Sequence, residues 1–333
     1  MIVKEELVKL FETSRERYIS GNEMAEIFVV SRTAVWKMIN SLRNEGYEIE
    51  AAGSKGYRLL PENDVISASG IEKYLDSSEG KFRFCIYDSV ASTNDVLKEK
   101  ANSGEAEGLV AAASSQTGGK GRMGRSFFSP EGTGIYFSLL LRPQIPLEEM
   151  TLITTAAAVA VCRAVERISD MKAEIKWVND VYVKGGKAAG ILTEASFGGE
   201  TGTLDYVILG IGMNLYGPKG DFPEDIADSA GSFFDIRIED GRNKAIAFVL
   251  EEFYKIYEDF HDKGFVKEYI KRSFVIGKQV MVTSIGKEPY FAEVLGIDPV
   301  CRLEVMREDG SVEFLNSGEI SIRTRDLKRG KYE

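Results

Sequence analysis

The chain has 333 residues, of which 44% are hydrophobic and 28% charged, and its formal net charge is −10. This length and apolar content predict a globular protein of two or three domains with packed cores. The longest apolar run, residues 152–162, is shorter than the roughly 18 residues of a membrane span, and the N-terminus lacks the order of a signal peptide, so we expect a cytoplasmic protein without membrane partners.

Histidine and cysteine are too scarce for several common kinds of active site. The chain has one histidine, His261, and three widely separated cysteines. A Ser-His-Asp triad or a His-containing zinc site would depend on that one histidine, and the cysteines do not suggest a disulfide framework or a metal site. We therefore expect no metal site built from protein side chains, and chemistry that relies on lysine, arginine, asparagine and backbone amides.

Residues 1–60 predict a winged helix-turn-helix. They contain nine lysines and arginines and nine glutamates, so this segment is neutral and the rest of the chain carries the whole net charge. Apolar spacing predicts two helices, near residues 3–11 and 22–28. A Gly-Ser-Lys-Gly tip at residues 53–56, flanked by alternating segments, predicts a β-hairpin wing.

The third helix of this segment has the features of a DNA recognition helix. Ser31 can cap it, and between Ser31 and Arg43 there are three cations and no acid. A helix in the major groove needs donors for base edges near its start and cations for phosphates along it. The predicted DNA-binding residues are Arg32, Thr33, Trp36, Lys37, Asn40, Arg43 and, at the tip of the wing, Lys55. A winged helix used only for protein contacts is the alternative.

A Pro-Glu-Asn-Asp break at residues 61–64 predicts the first domain boundary. We expect a winged-helix domain at residues 1–63, a central domain at 64–272 and a C-terminal domain at 273–333. In the central domain the patterns predict strands near residues 82–88, 109–115, 134–141, 174–177, 181–183, 187–194 and 205–215. They predict helices near residues 92–102, 147–168 and 242–262. This irregular order indicates an α+β fold with a mixed sheet against helices.

A glycine-rich basic loop follows the second of these strands, at residues 116–130. It contains no acidic residue, and Lys120, Arg122 and Arg125 give it a local charge of +3. Glycines let a backbone approach a ligand closely, and the cations suit phosphate or carboxylate, so we predict an anion site. Residues 119–124 also match a dinucleotide fingerprint, but that fingerprint must open a helix, and a nearby proline argues against one. A solvated flexible loop is the alternative.

Three other short segments have both a structural and a functional interpretation. Residues 92–95 can cap a helix, residues 179–180 can form a turn, and Lys187 can be a strand-end lysine with its head in water. Beyond residue 273, four short strands near residues 278–284, 290–297, 301–306 and 312–316 predict a small SH3-like barrel. Its segment 316–319 either approaches a ligand or is only a turn.

In their order along the chain, these motifs resemble the family of bifunctional biotin protein ligases and biotin operon repressors. The matching pieces are Ser92-Thr93-Asn94, Gln116 with the loop 119–125, Ser129-Pro130, Lys176-Trp177-x-Asn179-Asp180, Lys187-x-Ala-Gly-Ile-Leu192, Gly210-x-Gly-x-Asn214 and Gly318-Glu-Ile-Ser321. With the winged helix, they span about residues 20–323. The chain departs from the family in three places, where Lys120 replaces the usual arginine, Phe127 a common tryptophan and Val178 a common proline.

The resemblance implies two activities. The chain would activate biotin with ATP and Mg²⁺ to biotinyl-5′-AMP, and would transfer biotin to one lysine of a biotin carboxyl carrier protein domain. It would also be a biotin-responsive repressor that binds operator DNA as a homodimer promoted by the adenylate. No permanently bound cofactor is implied. A related lipoate-type ligase, and a ligand-sensing repressor without ligase activity, are the alternatives.

The resemblance also implies roles for individual residues. Those at biotin would be Ser92, Thr93, Asn94, Gln116, Lys120, Gly121, Arg122, Lys187 and Gly190. Those at the nucleotide would be Gly119, Arg125, Trp177, Asn179, Asp180 and Asn214. Lys187, Arg122 and Arg125 would be the catalytic residues, because fixed cations stabilise the charge that develops when a carboxylate meets a triphosphate.

Overall fold

The structure is a computed structural model of the chain. It describes residues 2–198, 204–218, 220–284, 286, 288–316 and 318–322, with side chains from residue 4 onward. Residues 323–333 of the expected C-terminal domain, and Ser317 in the segment 316–319, lie outside the described residues. None of the helices in the described part of the chain is long and apolar enough to cross a membrane.

The N-terminal segment is the predicted winged helix-turn-helix. Its elements are α1 (Ile2–Glu12), α2 (Gly21–Ile27), α3 (Arg32–Asn44) and the antiparallel pair β1 (Ile49–Ala51) and β2 (Tyr57–Leu59). The hydroxyl of Ser31 accepts a hydrogen bond from the backbone N–H of Ala34 at 3.2 Å, so Ser31 caps α3 as predicted. Apolar side chains of α3 and its neighbours form a core separate from that of the rest of the molecule.

The central domain is built on a seven-stranded mixed sheet. Its strands are β3 (Arg83–Val90), β4 (Leu109–Gln116), β5 (Gly134–Leu141), β6 (Glu174–Lys176), β7 (Asp180–Val183), β8 (Gly186–Phe197) and β9 (Leu204–Asn214). Their order across the sheet is β3-β4-β5-β9-β8-β7-β6, with β3 and β4 parallel and the other neighbours antiparallel. The mixed sheet predicted for this domain is confirmed.

The helices of this domain are α4 (Ala68–Glu72), α5 (Thr93–Asn102), α6 (Met150–Ile168), α7 (Gly241–Glu258) and α8 (Phe265–Arg272). The alanines at residues 156–158 and 160 of α6 are fully buried, so small side chains let α6 approach its neighbours closely. The helix predicted from residue 147 begins at Met150, after one 3₁₀ turn. The sequence analysis did not predict α4 or α8, which have five and eight residues.

The C-terminal domain is a five-stranded antiparallel sheet. It contains β10 (Gln279–Thr283), β11 (Tyr290–Ile297), β12 (Leu303–Arg307), β13 (Val312–Leu315) and β14 (Glu319–Ile322), in the order β13-β12-β11-β10-β14. The fifth strand was not predicted. The indole N–H of Trp177 donates to the backbone oxygen of Cys301 at 2.9 Å, which joins this domain to the central one.

A buried ionic cluster attaches the winged helix to the central domain. The side chains of Glu12 and Asp240 have no exposed surface, and Arg15 and Lys73 each pair with both carboxylates. The four ionic contacts measure 2.5 to 3.0 Å. The hydroxyl of Tyr74 also donates to Asp240 at 2.9 Å. We call these four charged residues the interdomain cluster.

Candidate functional site

A cleft beside the basic loop brings together most of the predicted site residues. An open space of about 910 Å³, which includes solvent at its mouth, lies between its walls. The start of α5, the basic loop, the region from β6 to β9 and the start of β14 form its walls. The predicted residues that line it are Ser92, Thr93, Asn94, Gln116, Lys120, Gly121, Arg122, Arg125, Trp177, Asn179, Asp180, Lys187 and Gly190.

Two predicted site residues do not line this cleft. Gly119 lies inside the folded loop, where a Cβ atom would be 2.4 Å from the backbone oxygen of Phe127. The side-chain amide of Asn214 donates to the backbone oxygen of Gly231 at 3.0 Å and so joins the end of β9 to a later segment. In this structure both residues support the walls of the cleft.

The neutral end of the cleft is formed by the start of α5. Ser92 occupies the N-cap position, but its hydroxyl makes no capping hydrogen bond, and the side chain lines the cleft. The side-chain oxygen of Gln116 accepts from the backbone N–H of Thr93 at 2.9 Å, and the Gln116 amide donates to the hydroxyl of Ser129 at 3.1 Å. Gln116 therefore fastens both ends of the basic loop to this helix start.

Asn94 is held by its neighbours on both sides of its amide. Its Nδ2 atom donates to Oε2 of Glu194 at 2.7 Å, and its Oδ1 accepts from the hydroxyl of Ser138 at 2.6 Å. A Cβ atom at Gly210 would lie 2.2 Å from Oδ1, so this position needs glycine. These contacts make Asn94 a fixed part of the wall.

The basic loop is compact and opens no α-helix, as the rejection of the dinucleotide fingerprint predicted; it contains only a 3₁₀ turn at Arg122–Gly124. The backbone N–H of Phe127 donates to the oxygen of Gly119 at 2.9 Å, and that of Gly121 donates to the oxygen of Arg125 at 2.7 Å. The ring of Phe127 rests on β9, because a Cβ atom at Gly212 would lie 2.5 Å from it. Phe127 and Gly212 both line the cleft, although the sequence analysis gave them no role.

The three cations of the loop have different surroundings. Arg122 donates to Oδ1 of Asn179 at 3.1 Å, and burial of its guanidinium lowers its pKa from the usual arginine value. Arg125 is exposed and pairs with Glu319 of β14 at 2.5 Å. Lys120 lies 2.6 Å from both carboxylate oxygens of Asp95, in the first turn of α5.

Lys187 lines the cleft, where 34% of its side chain is exposed and its ammonium group has an anionic partner. Its Nζ atom lies 2.7 Å from Oδ1 of Asp180, within the cleft. The contact is ionic and not an aligned hydrogen bond, because this buried oxygen accepts no hydrogen bond. Asn179 forms part of the turn before β7, where its backbone oxygen accepts from the N–H of Ile191 at 3.0 Å. The turn thus also carries polar side chains into the cleft.

Lys176 is a cleft residue to which the sequence analysis assigned no role. It is at the end of β6, and burial lowers its pKa below the usual lysine value. With it, five cations and two carboxylates, Asp180 and Glu319, line the cleft. This excess of positive charge in a partly desolvated site favours a ligand with several negative charges.

The predicted DNA-binding face is also assembled. Arg32, Thr33, Trp36 and Lys37 of α3 are exposed, as is Lys55 at the tip of the wing, whereas Asn40 is half-buried. The Arg43 side chain is exposed too, but its Nε and Nη2 atoms donate to the backbone oxygen of Ile49 at 3.0 and 2.7 Å. Arg43 therefore fastens α3 to the wing.

Three family models match consecutive parts of the chain. They are the HTH domain at residues 3–58, the biotin/lipoate A/B protein ligase family at residues 86–214 and the biotin protein ligase C terminal domain at residues 275–323. The three matches occur in the order of the winged helix, the cleft-bearing sheet and the C-terminal sheet.

Relatives match almost the whole chain. The bifunctional ligase/repressor BirA of Bacillus subtilis (strain 168) is 36% identical over 323 residues, covering 96% of this chain and 98% of that protein. The protein of the same name from Escherichia coli (strain K12) is 27% identical over 312 residues, covering 92% and 94%. Biotin protein ligase from Aquifex aeolicus in complex with biotin and ATP has a TM-score of 0.59 at 28% identity, and the match covers 72% of this chain and 98% of that one. The chain belongs to the biotin protein ligase family, in its bifunctional ligase/repressor branch.

Proposed function

We propose that this protein is a biotin protein ligase and a biotin-responsive transcriptional repressor. It activates biotin with ATP to biotinyl-5′-AMP and transfers biotin to a lysine of a biotin carboxyl carrier protein. The observation that carries the ligase proposal is a single cleft whose neutral end adjoins five cations. Biotin has a neutral ring and a carboxylate tail, so biotin beside the triphosphate of ATP matches this distribution of charge along the cleft.

The chemistry requires such an arrangement of charge. An amine does not displace oxide from a carboxylate, so the acid first needs a leaving group, which AMP supplies. Bringing a carboxylate to a triphosphate opposes like charges, at a cost of about 4 kcal/mol per unit pair at 4 Å and an effective dielectric constant of 20. Fixed cations offset this repulsion and stabilise the developing charge at phosphorus. In-line positioning supplies much of the remaining acceleration without a histidine base.

The residues that line the cleft keep their proposed roles. Ser92, Thr93 and Gln116, at the neutral end, hold the biotin ring, and Lys187 contacts the biotin carboxylate and the α-phosphate. Arg122 and Arg125 act on the phosphates. Gly119 and Asn214 support the walls, since neither lines the cleft. The lining also includes Lys176, which we add to the phosphate side.

Magnesium would enter this site together with ATP. Within the described ranges no group of three or more His, Cys, Asp or Glu side chains could hold a metal ion by itself. Asp180 lines the cleft, and its buried Oδ1 accepts no hydrogen bond. One carboxylate plus substrate phosphates is a usual magnesium environment, so Asp180 is the residue that would hold the ion. The ion would supply charge neutralisation at the phosphates.

The ligase proposal is tested by biotin-dependent exchange of pyrophosphate into ATP. Lys187→Ala and Arg122→Gly should slow the exchange at least tenfold while circular dichroism shows an intact fold. Lys184→Ala is the matched control, because Lys184 lies in the turn between β7 and β8, outside the cleft lining, and pairs on the surface with Asp235 at 2.8 Å. Unchanged exchange in both cleft variants would rule out their assigned roles.

The same assay separates the two alternatives. A lipoate-type ligase would support exchange with lipoate in place of biotin. A repressor that only senses a ligand would support none. The five cations at the cleft argue against the sensor, since a sensor has no need of charges for a triphosphate.

Operator DNA binding is proposed for the exposed face of α3 and the wing. Phosphate neutralisation makes the affinity fall with salt, with a slope of about −0.9 for each phosphate contacted. Lys55→Ala should therefore reduce the slope by about one. Lys81→Ala, in the central domain just before β3, should leave the slope unchanged. Affinity that is insensitive to salt would contradict this proposal.

We also propose a homodimer promoted by the adenylate, a cytoplasmic location and domain boundaries at residues 63/64 and 272/273. A two-fold dimer matches the symmetry of the half-sites that helix-turn-helix proteins read. Sedimentation with and without biotin and ATP tests the dimer.

A further inference from the structure

One ion pair at the mouth of the cleft has no role in the proposed chemistry. Both carboxylate oxygens of Asp95 lie 2.6 Å from Nζ of Lys120. Asp95 belongs to the first turn of α5, directly after Ser92, Thr93 and Asn94 of the neutral end, and it does not itself line the cleft. The pair thus joins the basic loop to the helix that carries this end of the site.

A second layer of charge holds Asp95 in place. Lys98, one helical turn further along α5, lies 3.7 Å from Oδ1 of Asp95 and 2.7 Å from Oε1 of Glu194. Glu194 also accepts the hydrogen bond from Nδ2 of Asn94. The Asp95 carboxylate, which pairs with Lys120, is therefore part of an ionic network that spans α5 and β8.

Lys120 is the cation of the loop that pairs with the helix of the neutral end, whereas Arg125 pairs with Glu319 of β14. Arg122 is half-buried and donates to Asn179, whereas Lys120 is exposed and pairs with Asp95 of α5. In this structure the Lys120 ammonium lies 2.6 Å from both oxygens of a carboxylate that belongs to the helix of the neutral end. Its position explains how lysine can serve where the family usually has arginine, because one ammonium suffices for a single carboxylate.

We propose that Asp95 is a positioning residue that latches the basic loop over the neutral end of the cleft by holding Lys120. This inference rests on the proposed ligase function. The latch governs how fast biotin leaves, and Lys120 acts through the loop and not on the phosphates of ATP. Both side chains are more than two-fifths exposed, 45% for Lys120 and 42% for Asp95, so the contact is weak enough to break in every catalytic cycle.

A double-mutant cycle on the full chain tests the latch. The variants are Asp95→Asn, Lys120→Met and the two combined, and the readout is the dissociation rate of radiolabelled biotin after rapid dilution. Each single substitution should raise this rate about two- to fivefold, the range of an exposed ion pair. The double variant should be no faster than the faster single variant, because the same contact is lost in each case.

Two further measurements separate the latch from a general effect. Salt should accelerate biotin release from the wild type and should have little effect on release from Asp95→Asn. The reversed pair, Asp95→Lys with Lys120→Asp, should restore part of the slow release. The control cycle uses Lys184→Met and Asp235→Asn, a lysine–aspartate pair outside the cleft lining, and should leave release unchanged.

Additive effects in the Asp95 cycle would overturn the latch. So would a raised KM for ATP in Lys120→Met that Asp95→Asn does not share, since Lys120 would then act on phosphate. If wild-type protein neither retains biotin nor supports pyrophosphate exchange, the proposed function fails. If the wild type does both and the cycle is additive, only the latch fails.

Discussion

The surroundings of Lys176 partly disfavour the charged form of its side chain. Burial at the end of β6 lowers its pKa, although Asp180 and Glu319 nearby act in the opposite direction. An anionic ligand in the cleft would favour the charged form again. Binding of ATP should thus be coupled to the protonation of this lysine.

We predict an alkaline decline in kcat/KM for ATP that begins below the usual lysine pKa of about 10.4. The sign follows from the lowered pKa of the free enzyme. As pH rises through that pKa, Lys176 loses its proton and the cleft loses one positive charge. Lys176→Arg keeps its charge over this range and should move the decline to higher pH. Pyrophosphate exchange measured from pH 7 to pH 10 gives the profile.

A flat profile up to pH 10 in the wild type, or an identical decline in Lys176→Arg, would contradict this role. Lys172→Arg is the control. It is a lysine in the loop before β6, outside the lining of the cleft.

At the scale of residues, most cleft residues could be identified from the sequence, whereas little about their contacts could be. Arg122 and Lys187 could be identified because the short segments around them match a family pattern. The ion pairs Lys120–Asp95 and Lys187–Asp180 depend on how α5, the loop and β7 meet. No local sequence pattern contains that information. Asn214 does not line the cleft, because its side-chain amide donates to the oxygen of Gly231 in a distant segment, and no local pattern predicts that contact.

At the scale of elements, β9 is the strand against which the basic loop packs. Gly212 leaves room for the ring of Phe127, and a Cβ atom there would approach the ring to 2.5 Å. The Phe127 ring also packs edge-on against Tyr136 of β5, with ring centroids 6.4 Å apart. The aromatic residue of the loop thus has little freedom to move aside while the loop is closed.

Gly212→Ala should therefore hold the loop away from β9 and weaken biotin binding. Overpacking of this kind costs about 1 to 3 kcal/mol, which corresponds to roughly a 5- to 150-fold rise in the dissociation constant measured by calorimetry. Replacing Phe127 by leucine in the same chain should recover part of the loss, because the smaller side chain makes room for the added methyl group.

The matched control is Gly217→Ala, where the nearest atom to a new Cβ, the hydroxyl of Ser232, is 3.9 Å away. Biotin affinity unchanged by Gly212→Ala would show that the loop does not bind against β9 in the complex.

The elements themselves were predictable where periodicity ran long enough. Helices α3, α6 and α7 and the buried strands β4, β5 and β9 follow from apolar spacing, because each buries one face or both. The short elements α4, α8 and β14 were missed, since a few residues carry little periodic signal and their conformation depends on tertiary packing. For residues 316–319 the sequence allowed either an approach to a ligand or only a turn, and Glu319, the first residue of β14, lines the cleft.

For the whole molecule, the interdomain cluster fixes the winged helix against the central domain. Glu12 and Asp240 are 228 positions apart in the chain (240 − 12), so the cluster could not be seen in the sequence. Asp240 also ends a segment whose backbone is hydrogen-bonded to that of Lys187. The N–H of Lys187 donates to the oxygen of Ser229 at 2.7 Å, and the N–H of Gly231 donates to the oxygen of Lys187 at 2.8 Å. One continuous stretch of chain therefore connects Lys187 with the attachment of the winged helix.

Glu12→Gln should loosen this attachment. The substitution leaves Arg15 and Lys73 to share one carboxylate, and breaking a buried ionic set costs about 3 kcal/mol. We expect the free energy of unfolding in urea to fall by that amount and operator affinity to fall with it, whereas biotin-dependent pyrophosphate exchange continues. Glu16→Gln, at an exposed position four residues later, is the control.

A loss below about 1 kcal/mol, the scale of an exposed pair, would mean that the cluster does not carry the attachment. Loss of stability with unchanged operator affinity would mean that DNA binding does not require a fixed winged helix.

The most direct test of the ligase activity uses the full chain with biotin, ATP and an isolated biotin carrier domain, and reads the mass of the carrier. We predict that the carrier gains one biotinyl group on one lysine, that the gain requires both biotin and ATP, and that lipoate does not replace biotin. A carrier of unchanged mass, after incubation with folded wild-type protein and both substrates, would contradict the assignment of this protein as a biotin ligase.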